Sequence, residues 1–351
     1  MRIGMADVMK VDAWEKDRWD ALVRSFEDYD VFYLNAYARA FCRNSHDSPA
    51  LFYYEDEHNR IMNVVLIRDI ADDGRFCGQI ERNRFFDLST PYGYGGPWGR
   101  VGNAGTVREA FGRYCREQGY VSEFVRFELF GRGKEVFPGE VQAATHNVVR
   151  SLDLPLEELW MDFEHKVRKN LKRAAANHLE ILIDEDGREL KEFQRIYSSV
   201  MDRRGAKENF YFEDGFYETL HEMKGHFCYF HAVCKGRIVS TELVLCGSEN
   251  CYSFLGGTRS EYFETRPNEF LKYEIIKWAK ARGYRNFVLG GGYGQDDGIF
   301  RYKKSLAPNG VTDFCIGKHV IDEKAYRELI ELRRQKDGTW EAEGFFPQYR
   351  G

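Results

Sequence analysis

The sequence predicts an α/β protein in which one unit is used twice, each copy a mixed, largely antiparallel sheet flanked by helices. Three observations predict it. The chain has 351 residues, 43% hydrophobic and 30% charged, which is globular composition and, at about 150 residues per domain, room for two domains. A strand–turn–strand stretch occurs twice, as LFYYEDEHNRIMNVVLIRDI and as FCYFHAVCKGRIVSTELVLC, each opening its second strand with Arg-Ile after a polar turn (Arg60-Ile61 and Arg237-Ile238). A helix–Gly-Tyr–strand stretch also occurs twice, at Gly119-Tyr120 and Gly283-Tyr284, each glycine placed to end a helix after a basic last turn. Both echoes keep the same order, the mark of a duplicated unit.

The elements follow from spacing. The boundary falls near 150–156, where VVRSLDLP ends a strand-like run and EELWMDFEHKVRKNLKRAAANH takes up helical periodicity. The expected domains are 1–152 and 153–322, with 323–351 a helix and tail. Leu190, Phe193, Ile196, Tyr197 and Val200 predict a helix near 188–203, and Phe212, Phe216, Leu220 and Met223 another. Strands are expected at about 226–234, 237–246 and 250–256, then a helix over 268–282 and a strand over 285–290. Short turns between the three strands imply antiparallel pairing, and the helix then crosses to a further strand. Asp322 to Gln335 reads as a surface helix, and the final DGTWEAEGFFPQYRG as only partly ordered.

Charge and cysteines narrow the function. With 51 basic and 56 acidic residues the formal charge is −5, which excludes an overall basic nucleic-acid coat but not a local patch. Eight cysteines, at 42, 77, 115, 228, 234, 246, 251 and 315, form no C-x-x-C and no zinc spacing. They read as small buried hydrophobes in a reducing compartment, with no metal site. The N-terminal stretch has no apolar core and no run approaches about 18 apolar residues, so a cytoplasmic protein without membrane insertion is expected. The oligomeric state stays open.

Four features could carry chemistry. His165 to Arg173 holds five Lys or Arg in nine residues, with Val167 and Leu171 on the packed stripe. It is either a solvated helix face or a phosphate contact built on Arg168, Lys169 and Lys172. Thr90-Pro91-Tyr92-Gly93-Tyr94-Gly95-Gly96-Pro97 is too rich in Pro and Gly for a helix or central strand, and is either a plain turn or a loop offering flat tyrosine surface to a sugar or base. Gly290 to Gly298 follows a strand, where ligand loops of α/β folds lie, but it is neither a Walker A loop nor a dinucleotide fingerprint. After it, Tyr302-Lys303 could set a cation beside a carbonyl or phosphate. Glu242 interrupts the apolar run IVSTELVL and is a candidate general base, unless strand alternation points it outward. His221, His226 and His231 read as core or surface histidines.

In order, TPYGYGGP, KVRKNLKRA, YSSVMDRRGA, GRIVSTELVL, CYSFLGGT and NEFLKYEIIKWAKARGYRNFVLGGG with RYKKSLAP resemble the Fem-type (FemABX) aminoacyltransferases and their relatives in the GNAT superfamily. The resemblance runs from about residue 30 to 320 and is strongest over 165–310. It implies two tandem GNAT-like domains and transfer of an amino acid from aminoacyl-tRNA to an amine on a cell-envelope precursor, the acceptor carrying a nucleotide diphosphate or a lipid-linked pyrophosphate. By resemblance, Arg168, Lys169 and Lys172 hold phosphates, and Tyr302 and Lys303 serve the transfer step. The resemblance also sets the loop of Tyr92, Gly93, Tyr94 and Gly95 towards the acceptor cleft, and Arg204, Gly291, Gly292 and Tyr293 are further candidate substrate-binding residues. The chain lacks the helical coiled-coil arm of some members.

CoA-dependent GNAT enzymes open a helix with R/Q-x-x-G-x-G/A, whose backbone N–H groups hold pyrophosphate. Here the corresponding residues are Thr265-Arg266-Pro267-Asn268-Glu269-Phe270-Leu271. Both glycines are missing, Pro267 lacks an N–H and Glu269 adds negative charge. The expectation is therefore no bound cofactor and aminoacyl-tRNA as donor, with acyl-CoA as the alternative donor and a non-catalytic binding scaffold as the second alternative.

Overall fold

The computed structural model describes residues 7–42, 47–76, 78–292, 294, 297–336, 338, 340 and 344–351. In chain order the elements are β1 (Met9–Asp12), α1 (Lys16–Arg24), α2 (Asn35–Ala40), β2 (Ser48–Glu55), β3 (Arg60–Asp69), β4 (Phe86–Ser89), β5 (Trp98–Arg100), α3 (Ala104–Glu117), β6 (Tyr120–Arg126), α4 (Gly133–Val136) and β7 (Glu140–Ser151). There follow α5 (Leu156–Asp162), α6 (His165–Ala176), β8 (Glu180–Asp184), α7 (Leu190–Arg204), α8 (Asp214–His221), β9 (Phe227–Cys234), β10 (Arg237–Cys246), β11 (Asn250–Thr258), α9 (Pro267–Ala281), β12 (Asn286–Gly290), α10 (Gly298–Leu306), β13 (Val311–Val320) and α11 (Glu323–Lys336). The chain divides into two compact units, one of Met1–Phe26, Phe32–Ala144 and Phe314–Gly351, the other of Glu27–Val31 and Thr145–Asp313.

The first unit's strands run in the order β1-β2-β3-β4-β6-β13, with β5 beside β3. Every pair is antiparallel except β4 with β6. The second unit repeats the plan as β8-β9-β10-β11-β12-β7, with only β11 and β12 parallel. Both sequence echoes are thus structural. The β2–β3 and β9–β10 stretches are antiparallel hairpins, the second turning on Lys235 and Gly236 at φ 48 and 74, the conformation a two-residue type I′ turn demands. The glycines after α3 and α9, Gly119 and Gly283, have φ 71 and 81, a left-handed conformation that ends a helix at no Cβ cost.

Two corrections concern boundaries. The strand after β6 does not close the first sheet, because Val148–Ser151 of β7 pair with β12. The strand after β12 pairs instead with β6, over Ile316–Val320. The second unit therefore comprises Thr145–Asp313 together with Glu27–Val31, where the sequence predicts 153–322. The described end of the tail, residues 344–351, brings Phe346 and Tyr349 into a core cluster. Tyr326 and Leu329 of α11 and Tyr349 pack with Ile70, Phe76 and Val121 of the first unit, and Tyr349 is fully buried.

Each unit buries its own core between sheet and helix. In the first, Val107, Phe111 and Cys115 of α3 cover Phe52, Val65, Ile67 and Leu88. In the second, Leu271, Ile275 and Ala279 of α9 and Val167 and Leu171 of α6 cover Phe230, Val244, Phe287 and Leu289. Five cysteines, 115, 228, 234, 246 and 251, are buried and unpaired, as small apolar fillers; Cys77 lies outside the described residues. His231 is a core residue, its Nδ1 2.8 Å from Thr241 Oγ1, and burial lowers it to about 4. Among the described residues no helix is long and apolar enough to cross a membrane.

Candidate functional site

The site grows from the one parallel pair of the second unit. β11 and β12 are in register from Asn250–Asn286 to Tyr252–Val288, and the described ladder ends there although β11 continues to Thr258. A bulge between Leu243 and Val244 bends β10 and β11 at this level. Beyond it Gly256 lies so close to β10 that a Cβ would come within 2.8 Å of the Thr241 carbonyl oxygen. β11 follows β10 and parts from β12, and Ser253 to Gly257 are left partly exposed.

Buried charge lies beneath this fork. Glu242 on β10 is 3% exposed and Lys272 on α9 is 6% exposed. Lys272 Nζ donates to Glu242 Oε1 and to Ser253 Oγ on β11, both at 2.6 Å. Glu242 thus points inward and is committed to an ammonium, so it is not a free general base. Lys272 and Ser253 were not singled out from sequence. The available signal was Glu242 itself, because a carboxylate inside an apolar strand needs a cation from another element.

Tyr302 and Lys303 stand on α10, just past the glycine loop. The helix is capped by Asp297, which accepts from Phe300 N at 2.7 Å and from Gly294 N at 3.2 Å. Lys303 Nζ reaches back to the Gly291 carbonyl oxygen at 2.7 Å. Burial, and then the charge of Lys272, push Lys303 down to about 8, while Glu242 and Asp297 oppose them. Tyr302 is partly exposed, but its hydroxyl is buried and without a hydrogen-bond partner among the described residues. Burial, followed by Glu269 and Glu242, raises that phenol well above its ordinary value. Gly291 packs against β7, where a Cβ would meet Asn147 Oδ1 at 2.9 Å. Tyr293 lies outside the described residues.

A methyl group at Gly292 would strike the Asp297 carboxylate. Gly292→Ala is therefore expected to displace the cap of α10, with a loss of about 1–3 kcal/mol in a denaturant titration and a drop in any activity that depends on Lys303. Wild-type stability in that variant overturns the assigned packing.

The basic helix divides into two sets. Lys169 and Lys172 of α6 are exposed, whereas Val167, Asn170, Leu171 and Ala174 are buried. Arg168 is half-buried, and its Nη1 donates to the carbonyl oxygens of Met161, at 2.7 Å, and Phe163, so this arm of the guanidinium clamps the approach to α6. Asn170 Nδ2 donates to Glu269 Oε1 at 2.7 Å, tying α6 to α9. Arg204 is exposed in the last turn of α7, at a distance in sequence and element from Lys303.

The Tyr92–Gly95 loop belongs to the first unit, where it continues the line of β4 along β6. Thr90 N donates to Phe124 O at 3.1 Å, Gly95 bridges to Phe127, and Glu128 N donates to Gly95 O at 2.9 Å. Tyr37 donates to Tyr92 O at 2.6 Å, and a Cβ at Gly93 would meet Phe32 at 2.8 Å. Tyr94 sets its ring edge-on to Phe32 and Phe314, and Tyr92 is 51% exposed. In the first unit the pairing with β6 thus continues past β4 as far as Gly95.

α9 begins unlike an anion cradle. Arg266 precedes it at φ 59, Pro267 occupies its first turn without an N–H, and Glu269 stands in that turn.

Residues 162–304 match the family model described as an acetyltransferase (GNAT) domain. No curated protein matches the chain. Among solved structures, FemX is similar at 12% identity and TM-score 0.67, over 92% of this chain and 99% of that one. The C-terminal domain of a putative lysylphosphatidylglycerol synthetase from Agrobacterium fabrum is similar at 11% and 0.54, over 89% and 93%. L-PGS from Bacillus licheniformis is similar at 10% and 0.54, over 91% and 95%. Residues 162–304 thus form a GNAT-type domain, and the chain as a whole has a fold similar to that of FemX.

Proposed function

We propose that this protein is an aminoacyltransferase that moves an amino acid from aminoacyl-tRNA to an amine on a small acceptor carrying a nucleotide or lipid-linked phosphate. The observation that carries the choice of donor is the start of α9, where Pro267 and Glu269 replace the glycine-rich cradle that CoA pyrophosphate needs. Similarity to FemX and to lysylphosphatidylglycerol synthetase supports an aminoacyl group and a phosphate-bearing acceptor. The acyl-CoA reading keeps one observation in its favour, the acetyltransferase description of the matching domain.

The chemistry asks little of the protein beyond placement, because the donor ester is already activated. The acceptor nitrogen attacks the ester carbonyl and a C–N bond forms. The C–O bond to the ribose breaks, and the proton lost by the amine balances the one gained by the leaving oxygen. Lys303, held by Gly291 with N–H groups to spare, stabilises the oxyanion, and Tyr302 shapes the wall beside it. Exposed Lys169 and Lys172 draw phosphates to the site.

The deciding experiment offers charged tRNA or acyl-CoA to candidate amines and reads transfer by mass spectrometry, with and without RNase. Loss of transfer on RNase treatment is expected; RNase-insensitive transfer from acyl-CoA overturns the reading. Lys169→Glu with Lys172→Glu is expected to lower kcat/KM at least tenfold at low salt, through KM, with a smaller deficit at high salt. An equal deficit at both salt concentrations removes these lysines from phosphate binding.

A further inference from the structure

A buried ion pair is a weak source of stability, because the cost of desolvation offsets the attraction. The second unit nevertheless keeps Lys272 and Glu242, exposed 6% and 3%, where β11 and β12 part. The Lys272 ammonium is hydrogen-bonded to Ser253, the first residue of β11 beyond the described ladder, and lies 5.6 Å from the centroid of the Phe287 ring on β12. Ser253 follows the last rung of that ladder, Tyr252–Val288. Gly291, whose carbonyl holds Lys303, lies three residues past Val288, directly after β12. Two ammonium groups and one carboxylate therefore share one fork.

We propose that Lys272, Glu242 and Ser253 form a positioning group that sets the charge state of Lys303, an inference that rests on Lys303 acting at the reacting carbonyl. The electrostatics agree with the geometry: after burial, Lys272 is the largest influence lowering Lys303, and Glu242 the largest opposing it. Among the described residues the neighbouring charges have other partners or face outward. Asp297 caps its own helix, and Glu269 of α9 is held by Asn170. On β7, His146 is 3.0 Å from Asp313 and Arg150 is 2.6 Å from Asp162. Arg301 and Lys304 on α10 are exposed, and the residues that α6 buries carry no charge. The buried pair is thus a fixed electrostatic setting, with Ser253 as its hinge to the mouth of the fork.

The test reads Lys303 directly in the full chain without donor or acceptor. The protein is pulsed with a small amine-acylating reagent across pH 6 to 10, and modification of the peptide carrying Lys303 is followed by mass spectrometry. Lys272→Met, which leaves the carboxylate alone, is expected to raise the midpoint by about one to two pH units, and Glu242→Gln to lower it by a similar amount. A bridge with a purely structural role lowers the melting temperature in both variants and leaves the midpoint where it was, which overturns the proposal. Ser253→Asp guards against misfolding: it keeps the pair and adds a carboxylate at a partly exposed position, so the midpoint rises. A folded Ser253→Asp protein with the wild-type midpoint also overturns the proposal. Because the reading needs no acyl transfer, its failure is separate from failure of the aminoacyltransferase assignment, which the donor experiment decides.

Discussion

Lys303→Ala is expected to cut transfer by about 10²–10³-fold in kcat while the protein stays folded. The size follows from the role proposed for the side chain. Its ammonium is the fixed cation that α10 delivers to the mouth of the fork, and it is held in place by one bond to the Gly291 carbonyl. An oxyanion formed there loses its main donor in the variant, and water entering the vacated space is a poor substitute because it must reorganise. The stability cost is small, since only the bond to Gly291 is lost and Lys303 is partly exposed. The pH profile separates two roles for the same atom. Lys303 sits at about 8, so as a charge donor it is competent below that pH and loses competence as pH rises through it. The falling limb is then absent in Lys303→Arg, whose guanidinium stays charged. If the rate instead climbs through pH 8 and Lys303→Arg is dead at every pH, the side chain works as a proton acceptor. Unchanged turnover in Lys303→Ala removes it from the mechanism.

The parts of the molecule that were legible in sequence are those fixed by local chemistry. The hairpin strands, α7, α9 and α11 lie where periodicity put them, within a few residues, because apolar spacing and the glycines at 119 and 283 act over one or two turns. The duplication was legible for the same reason. The exchange of β7 and β13 was not: each strand finds its partner across a whole unit, and nothing in residues 140–151 says whether β6 or β12 is the neighbour. The candidate site divides along the same line. Tyr302-Lys303 was visible as a motif, but Glu242 could not be placed by alternation alone, because its partner Lys272 sits 30 residues away on a helix. The clamp made by Arg168 Nη1 was not legible because the carbonyl oxygens that accept from it, those of Met161 and Phe163, belong to the segment before α6, and backbone acceptors leave no mark in side-chain spacing.

Arg350→Ala is expected to destabilise the first unit by about 3–5 kcal/mol, an effect out of proportion to a residue so near the end of the chain. Asp87 explains it. The carboxylate is completely buried on β4 and is surrounded by Arg350 Nε at 2.6 Å, Arg68 Nε at 2.8 Å and the Tyr349 hydroxyl at 3.0 Å. Burial alone raises an aspartate; the charges of Arg68 and Arg350 outweigh it and hold Asp87 below its ordinary value. The sign of the pH dependence follows. A carboxylate lowered on folding contributes its stability in full above its unfolded value, about 3.9, and loses it as pH falls through the folded value. With Arg350 gone, one of the two cations is missing, burial regains the upper hand, and Asp87 titrates at higher pH. Urea titrations across pH 4 to 7 should then show Arg350→Ala losing stability well above the pH at which the wild-type protein does. The double variant Arg350→Ala with Asp87→Asn removes the buried charge along with its partner. It should be less acid-sensitive than the single variant and should recover part of the loss, because the penalty lies in an uncompensated carboxylate more than in the missing bond. A single variant with wild-type stability, or a double variant no better than the single, would show that the tail is held by the Tyr326–Tyr349 aromatic packing, with centroids 5.2 Å apart, and not by its charge.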